Sequence, residues 1–399
     1  MRGIQRGESH APVRRHQSGE PGRFPHGLRG SGRSHPSSQA RRSGDAAHGR
    51  HPPARPGAGA SQPAGRNPSH GLQLLCQHPW ARRAAPVAAA QAGSRKWHAG
   101  LDPHHLQITG GGIHGLYAAF RCLLDPGEEV LTLSPHWHLI GGVIHEAGGL
   151  ARDLDFYLPL RRGASVRELL EAGLKPTTAA LYLNTPNNPS GVVLGRAELE
   201  QVAAFAMEHD LWVVSDEAYE NFIYDGTPHI SIATLPGMHE RTVSVFTFSK
   251  CLAAAGYRVG YTVCEPWLAE RLHAVCSRTV YNAPTNNQMS VLQALEHWDH
   301  WFPQLNATYR RLRDRVCSEL KVPCLLPASG FYAFMDASAA CAGRTAVDVL
   351  EELVREGVAC VPGAAFGAGF ENWFRLCFVS EPEERLALGI ERINRVLAR

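Results

Sequence analysis

From Leu106 onward, short apolar runs alternate with stretches of helical spacing, and chemically rich residues stand just past the ends of the runs. That alternation predicts an α/β layer fold, a mostly parallel central sheet flanked by helices. Thr109-Gly-Gly-Gly112 opens a helical run in which Ile113, Leu116, Tyr117, Phe120 and Leu124 recur on one face, and Asp125-Pro-Gly127 stops it. Glu129–Leu133, Ala179–Leu183, Leu211–Ser215, Val243–Phe248 and Gly260–Val263 read as strands, with a helix over about 196–208. Open α/β sheets bind ligands beyond the carboxyl ends of their strands, so the site is expected there.

The residues at those ends form a chemical set. Lys250 closes Phe246-Thr-Phe-Ser-Lys250; a desolvated lysine at a buried strand end can lose its proton and attack a carbonyl. Asp216, in Val214-Ser-Asp-Glu-Ala-Tyr219, ends an apolar strand and needs a partner, which a cationic ligand, a helix N-terminus or an ion pair could supply. Arg258 follows Lys250 in Ala255-Gly-Tyr-Arg-Val-Gly260 and matches phosphate bidentately. Thr247 and Ser249 alternate with Phe248, which in a strand turns both hydroxyls to one side. Gly110–Gly112 presents bare backbone N–H groups at a helix start, an anion site, without the Gly-Lys-Ser/Thr of a phosphate-binding P-loop. Trp137, in Ser134-Pro-His-Trp-His138, offers an aromatic face to a ring or to the core. His136 and His138 lack a third metal ligand, so no metal site is assigned.

Bulk properties exclude other classes. No apolar run approaches the roughly 18 residues of a membrane span, so no membrane partner is expected. The ten cysteines form no C-x-x-C pair and fit a reducing compartment, so a cytoplasmic location is expected. Residues 1–100 hold 16 Lys and Arg against 3 Asp and Glu, whereas the remainder holds 24 against 34. Basic charge without interleaved aromatics does not define a nucleic-acid surface.

The spaced motifs resemble those of class I/II aminotransferases of fold type I, which are of the aspartate-aminotransferase type and depend on pyridoxal 5′-phosphate (PLP). The resemblance rests on Asn184-Thr-Pro-Asn-Asn-Pro-Ser-Gly191, then Ser215-Asp-Glu-Ala-Tyr219, then Ser249-Lys250 with Arg258 eight residues on, and it covers about residues 96–399. It implies a Schiff base on Lys250, with Asp216 on the ring nitrogen and Asn188 and Tyr219 on the ring oxygen. Trp137 would stack on the ring, and Gly111, Gly112, Ile113, Thr247, Ser249 and Arg258 would hold the phosphate. Arg375, in Phe374-Arg-Leu-Cys-Phe378, would clamp the substrate α-carboxylate, with Asn188 beside it.

The implied reaction moves an amino group from an L-amino acid to a 2-oxo acid, with Lys250 as base and then acid. A homodimer with shared sites is also implied, with Tyr281-Asn282 reaching towards the partner subunit's site. A carbon–sulfur lyase, or a catalytically impaired product of a disrupted gene, stays open as an alternative. The domains implied are 96–280, large and cofactor-binding, and 281–399, small and α+β. The loop Gly111-Gly-Ile-His114 departs from the family's commoner Gly-Ala-Thr-Glu, a change read here as one of packing.

Residues 1–95 show no helical or strand period and are rich in Arg, Pro, Gly, Ala, Ser and His, the composition of a disordered segment. A basic tail, a transit peptide, an unusual folded segment and a shifted reading frame all fit. The last also accounts for a segment that replaces the family's usual N-terminus, which closes over substrate and supplies a tyrosine to the partner subunit's phosphate. On that reading this chain binds PLP weakly. Read one nucleotide later, Gly71–Val87 permits Tyr-x4-Gly-x3-Leu-Arg, the family's N-terminal signature, with the tyrosine drawn from the Leu75 codon. Sequencing the gene over these codons is expected to show a Leu75 codon that spells tyrosine in the next frame; any other Leu75 codon excludes the shift.

Overall fold

A computed structural model of the chain describes residues 101–398, apart from 102 and 227. The expectations for residues 1–95 lie outside the described residues. Seven strands form the main sheet: β1 (Leu106–Thr109), β2 (Glu129–Ser134), β3 (Leu150–Asp155), β4 (Thr178–Asn184), β5 (Trp212–Asp216), β6 (Thr242–Thr247) and β7 (Gly260–Val263). Their order is β1-β7-β6-β5-β4-β2-β3. From β3 to β6 all neighbours are parallel, and β7 runs against both β1 and β6. This is the expected mostly parallel sheet.

The central strands are apolar because helices cover both faces. β4 is buried along its whole length. On one face the Gly112–Leu123 helix packs Leu116, Phe120 and their neighbours against Val130, Tyr182 and Val245; on the other the Arg196–Glu208 helix packs Leu199, Val202 and Phe205 against Leu181 and Val213. β3 had no apolar signature because it is an edge strand: Ala151, Asp153 and Asp155 lie exposed while Arg152 and Leu154 are half-buried.

Two sequence expectations need correction. Ile113 does not join the buried stripe of its helix; it is exposed in the first turn. Phe248 does not extend β6, because Phe248–Cys251 is a helical turn capped by the Thr247 side chain, which accepts from the Ser249 N–H.

A second sheet joins β8 (Tyr332–Asp336), β9 (Val361–Pro362) and β10 (Trp373–Cys377) in the order β8-β10-β9, all antiparallel. One hydrophobic cluster runs from Phe246 and Tyr261 of the main sheet through Phe331 to Phe374 and Phe378. It sets β10, and with it Arg375, against the main sheet. Among the described residues no helix is long and apolar enough to cross a membrane.

A tight backbone approach lies where three strands meet. Thr109 pairs with Gly260 across β1 and β7, and Gly260 with Thr247 across β7 and β6. A Cβ on Gly260 would stand 2.6 Å from the Phe246 carbonyl oxygen and 2.9 Å from the Gly111 carbonyl carbon, both backbone atoms. Gly260→Ala is therefore expected to lower stability by about 1–3 kcal/mol, the range for overpacking, measured by urea denaturation. An unchanged midpoint would show that the strands separate freely.

Candidate functional site

The carboxyl ends of β2, β4, β5 and β6 open onto one cavity of about 380 Å³, within the size range of ligand pockets. Register brings its parts together: Asn184 faces Asp216 across β4 and β5, and Asp216 pairs with Val245 of β6. Gly112, Ile113, Trp137, Asn188, Asp216, Tyr219, Thr247, Ser249, Lys250, Arg258 and Arg375 all line it. Gly111 does not line it but buttresses Arg258 from behind.

Asp216 and Lys250 form the centre. The Asp216 carboxylate accepts from the Tyr182 hydroxyl at 2.7 Å and from the Ala218 N–H at 3.2 Å. Burial pushes its pKa above the ordinary carboxylate value, and the Tyr182 hydroxyl, the Ala218 N–H and the Lys250 charge only partly offset this. Lys250 Nζ lies 5.8 Å from the Tyr219 ring centre and 6.0 Å from that of Phe331. Burial pulls its pKa below the ordinary lysine value; Arg375 adds to the effect and Asp216 opposes it. Both groups are driven towards neutrality, the condition for a nucleophilic amine beside a carboxylate that wants a cation.

A second group gathers around Arg375. Its guanidinium lies over the Tyr332 ring at 4.2 Å and the Phe366 ring at 4.9 Å, and its Nη1 donates to Asn188 Oδ1 at 2.9 Å. Arg375 Nε is buried without an acceptor. Tyr219 donates to the Tyr332 hydroxyl at 3.3 Å, and burial raises its pKa well above the ordinary tyrosine value.

The third group is an anion cradle. The Gly112–Leu123 helix begins at the cavity, and first-turn N–H groups have no intrahelical acceptor. Gly111 has φ +85°, and a Cβ there would stand 2.5 Å from Arg258 Nη2, so only glycine fits. Arg258 is itself left-handed at φ +54° and donates to the Gly110 and Ala255 carbonyls. Thr247 and Ser249 face each other, with their hydroxyl oxygens 2.9 Å apart. They meet through the capped helical turn, not through strand alternation.

Some residues of the site carried no legible signal. Tyr182 sits in a uniformly apolar run; its place two residues before Asn184, on the same side of the pleat, was the available clue. Tyr332 and Phe366 belong to the second sheet region, far away in sequence. His138 lines the cavity edge-on to Trp137 and Phe366, and burial, then the Arg375 and His136 charges, lower its pKa. Behind Asp216, Glu217 accepts from Ser231 at 2.6 Å and pairs with buried His229 at 2.8 Å. Burial pushes Glu217 up, but the His229, Ser231 and Ser244 contacts together outweigh it and hold the carboxyl below its ordinary value.

An amine whose pKa burial lowers, an acidic strand end, an arginine with an orphaned Nε and a glycine at a helix start thus share one cavity, the set of groups that a PLP enzyme of fold type I uses. The family described as Aminotransferase class I and II matches residues 87–393, beginning inside the unusual N-terminal segment. The chain belongs to that family. It is 34% identical over 314 residues to the aromatic-amino-acid aminotransferase 2 of Thermococcus litoralis, spanning 76% of this chain and 79% of that one. It is 33% identical over 305 residues to the aspartate/prephenate aminotransferase of Thermus thermophilus, spanning 75% and 77%. The structure of the aromatic aminotransferase of Pyrococcus horikoshii OT3 superposes with a TM-score of 0.74 at 30% identity, covering 85% of this chain and 94% of the other. The chain is a transaminase, and PLP is its cofactor. The cavity fits that group: the buttressed cradle suits a phosphate, the raised Asp216 suits a protonated ring nitrogen, and the orphaned Arg375 Nε suits a carboxylate.

Linkage gives a test of the Lys250 environment. Its folded pKa lies below the unfolded 10.5, so the unfolded state binds more protons between those values. The lysine therefore costs stability at neutral pH, and the cost shrinks as pH rises towards 10.5. With cofactor removed, Lys250→Met is expected to stabilise the protein by about 1 kcal/mol at pH 7, as relief of a functional strain commonly does. The gain should fade in alkaline buffer; a gain independent of pH would mean that the amine is ordinarily solvated.

Proposed function

We propose that this chain transfers the amino group of an L-amino acid to a 2-oxo acid, with Lys250 as both cofactor anchor and catalytic base. The observation that carries the reading is the depressed pKa of Lys250 in a cavity that also holds Asp216 and Arg375. Lys250 would hold PLP covalently, Asp216 would face its ring nitrogen, and Asn188 and Tyr219 its ring oxygen. Trp137 would cover the ring, while Gly112, Ile113, Thr247, Ser249 and Arg258, with Gly111 behind them, would hold the phosphate. When bound, PLP supplies an aldehyde carbon and an electron-withdrawing ring.

The chain's own groups then divide the work. Arg375 orients the substrate through its α-carboxylate, with its guanidinium over the Tyr332 and Phe366 rings, Nη1 held by Asn188 and Nε left free to donate. Lys250 Nζ, whose neutral form burial favours, would take the proton from the substrate Cα and later return it. Asp216, held in place by the Tyr182 hydroxyl, would carry a negative charge once a protonated ring nitrogen offsets its burial. The aromatic walls at Trp137, Phe331 and Tyr332 exclude water from the amine.

The similar proteins carry aminotransferase names, which favours transamination over elimination. Those names span aromatic, aspartate/prephenate and arginine–pyruvate pairs, so the shared requirement is the α-carboxylate that Arg375 reads. We further infer the two domains implied above, a cytoplasmic enzyme of amino-acid metabolism and a homodimer. Exposed Tyr257, Val280, Tyr281 and Met289 support the dimer as apolar surface, and Val280 lies beside Gly110 of the glycine loop.

An amino-acid panel with 2-oxoglutarate or pyruvate as acceptor tests the reading. Lys250→Ala should abolish transfer and the cofactor's absorbance near 420 nm. Arg375→Lys should raise KM for the amino acid about tenfold or more, with a smaller effect on kcat, because Lys cannot make the two-pronged pair. Equal kinetics for Arg375→Lys and the wild type would remove Arg375 from substrate binding.

A further inference from the structure

The glycine loop that precedes the Gly112–Leu123 helix is held by side chains at both ends of one residue. The Gly110 carbonyl accepts from Arg258 Nη2 at 3.1 Å. The Gly110 N–H donates to His114 Nδ1 at 3.0 Å. On its other side the His114 ring meets Thr279 Oγ1 at 2.7 Å through Nε2. Thr279 lies at the end of the Pro266–Thr279 helix, and its hydroxyl proton is committed to the Val275 and Cys276 carbonyls, at 3.0 and 3.2 Å.

These contacts leave one consistent proton assignment. A backbone N–H can only donate, so Nδ1 must be the acceptor. The ring proton therefore sits on Nε2 and is donated to Thr279, whose oxygen has a free lone pair. Burial lowers the His114 pKa, which favours this neutral form. The ring is 8% exposed, and a Cβ on Gly110 would already touch Nδ1 at 3.4 Å. The imidazole thus ties the loop to a neighbouring helix end, and it draws the Gly110 N–H away from the cavity. The rest of the turn is closed by Gly111 N–H to the Thr109 carbonyl at 2.8 Å and by the Thr109 hydroxyl to the Gly111 carbonyl at 2.9 Å. What remains for a ligand is the first-turn N–H of Gly112 and Ile113.

We propose that His114 is a positioning residue for the phosphate cradle, acting through Nδ1 on the Gly110 N–H so that the Gly112 and Ile113 N–H groups keep their aim. This rests on the reading above that the cofactor's phosphate occupies this cradle. Through these two polar contacts the role of His114 exceeds the change of packing expected from sequence.

Two isosteric variants separate the hydrogen bond from the volume. Asn places Oδ1 where Nδ1 stands and keeps the bond to Gly110. Gln places its amide near the Nε2 position and keeps only the Thr279 side. The measurement, on the full chain stripped of cofactor, is the affinity for pyridoxamine 5′-phosphate divided by that for pyridoxamine, read by quenching of tryptophan fluorescence. The ratio isolates the phosphate, and neither ligand forms a covalent link to Lys250.

His114→Asn is expected to keep the ratio within about twofold of wild type, whereas His114→Gln and His114→Ala lose about tenfold, the scale of one hydrogen bond to a charged group. A purely structural histidine predicts the opposite order, since Gln fills the space better than Asn. A ratio for His114→Gln equal to wild type, or one for His114→Asn as low as that of Gln, overturns the proposal. Arg258→Met is the reference. If it lowers the ratio while no His114 variant does, the cradle reading stands and only the role of His114 falls. If Arg258→Met leaves the ratio unchanged, or the wild type shows no preference for the phosphorylated ligand, the phosphate lies elsewhere and both readings fall.

Discussion

Desolvation at the carboxyl edge of the main sheet governs the chemistry of this chain. Asp216 and Lys250 stand at the ends of neighbouring strands, and burial moves them in opposite directions, the carboxyl up and the amine down. Neither shift survives in open water. Each group opposes the other's shift, yet burial remains the larger cause for both. A cationic ligand atom beside Asp216 would favour its charged form, and burial favours the neutral amine with which Lys250 would attack a carbonyl carbon. Everything else in the site either preserves this desolvation, as do Tyr219, Phe331 and Tyr332, or orients what enters it.

The sheet supplies the position. Parallel register sets Asn184 beside Asp216, while reversal of β7 lays Gly260 between Thr109 and Thr247. That reversal brings the glycine loop, the Thr247 cap and Arg258 to a single corner. Backbone contacts of 2.6–2.9 Å at the Gly260 Cβ position leave no room for a side chain, so the corner is built from glycines. Arg258 pays for the same crowding with a left-handed backbone, which turns its guanidinium behind Gly111.

Most of the main sheet and the assigned site residues were legible in the sequence, for a physical reason. Charged residues such as Lys250 and Asp216 are costly at the ends of apolar strands, and with Arg258 and the glycine loop nearby in sequence they together single out a candidate site. Tyr182 was hidden because its hydroxyl, the donor to Asp216, terminates a side chain that otherwise belongs in an apolar strand. Ile113 was misplaced because helical spacing cannot tell a first-turn residue over a cavity from one over the core. Ser249 lines the cavity by a geometry other than the one expected, since a strand pleat and a capped turn can bring the same two hydroxyls together. β3 and the second sheet stayed unread because edge strands and short antiparallel ladders lack the long apolar run.

Distant segments explain what local reading could not reach. Tyr332 joins the two halves of the site: its ring carries Arg375, and its hydroxyl accepts from Tyr219. Arg375 in turn holds Asn188, whose backbone is fixed by the Asn184 side chain at 2.9 Å, and Asn184 donates to the Asp216 carbonyl at 3.1 Å. A carboxylate drawn to Arg375 competes with Asn188 Oδ1 for the guanidinium. Its arrival would thus be felt along the same chain of contacts at Asp216. Removing the positive charge of Arg375 from the field at Lys250 would also relieve one of the three causes that depress the amine, beside burial and the Arg258 charge. On the proposed reading, a substrate carboxylate that neutralises Arg375 would therefore favour the protonated form of Lys250 somewhat, while burial, the larger cause, continues to favour the neutral amine.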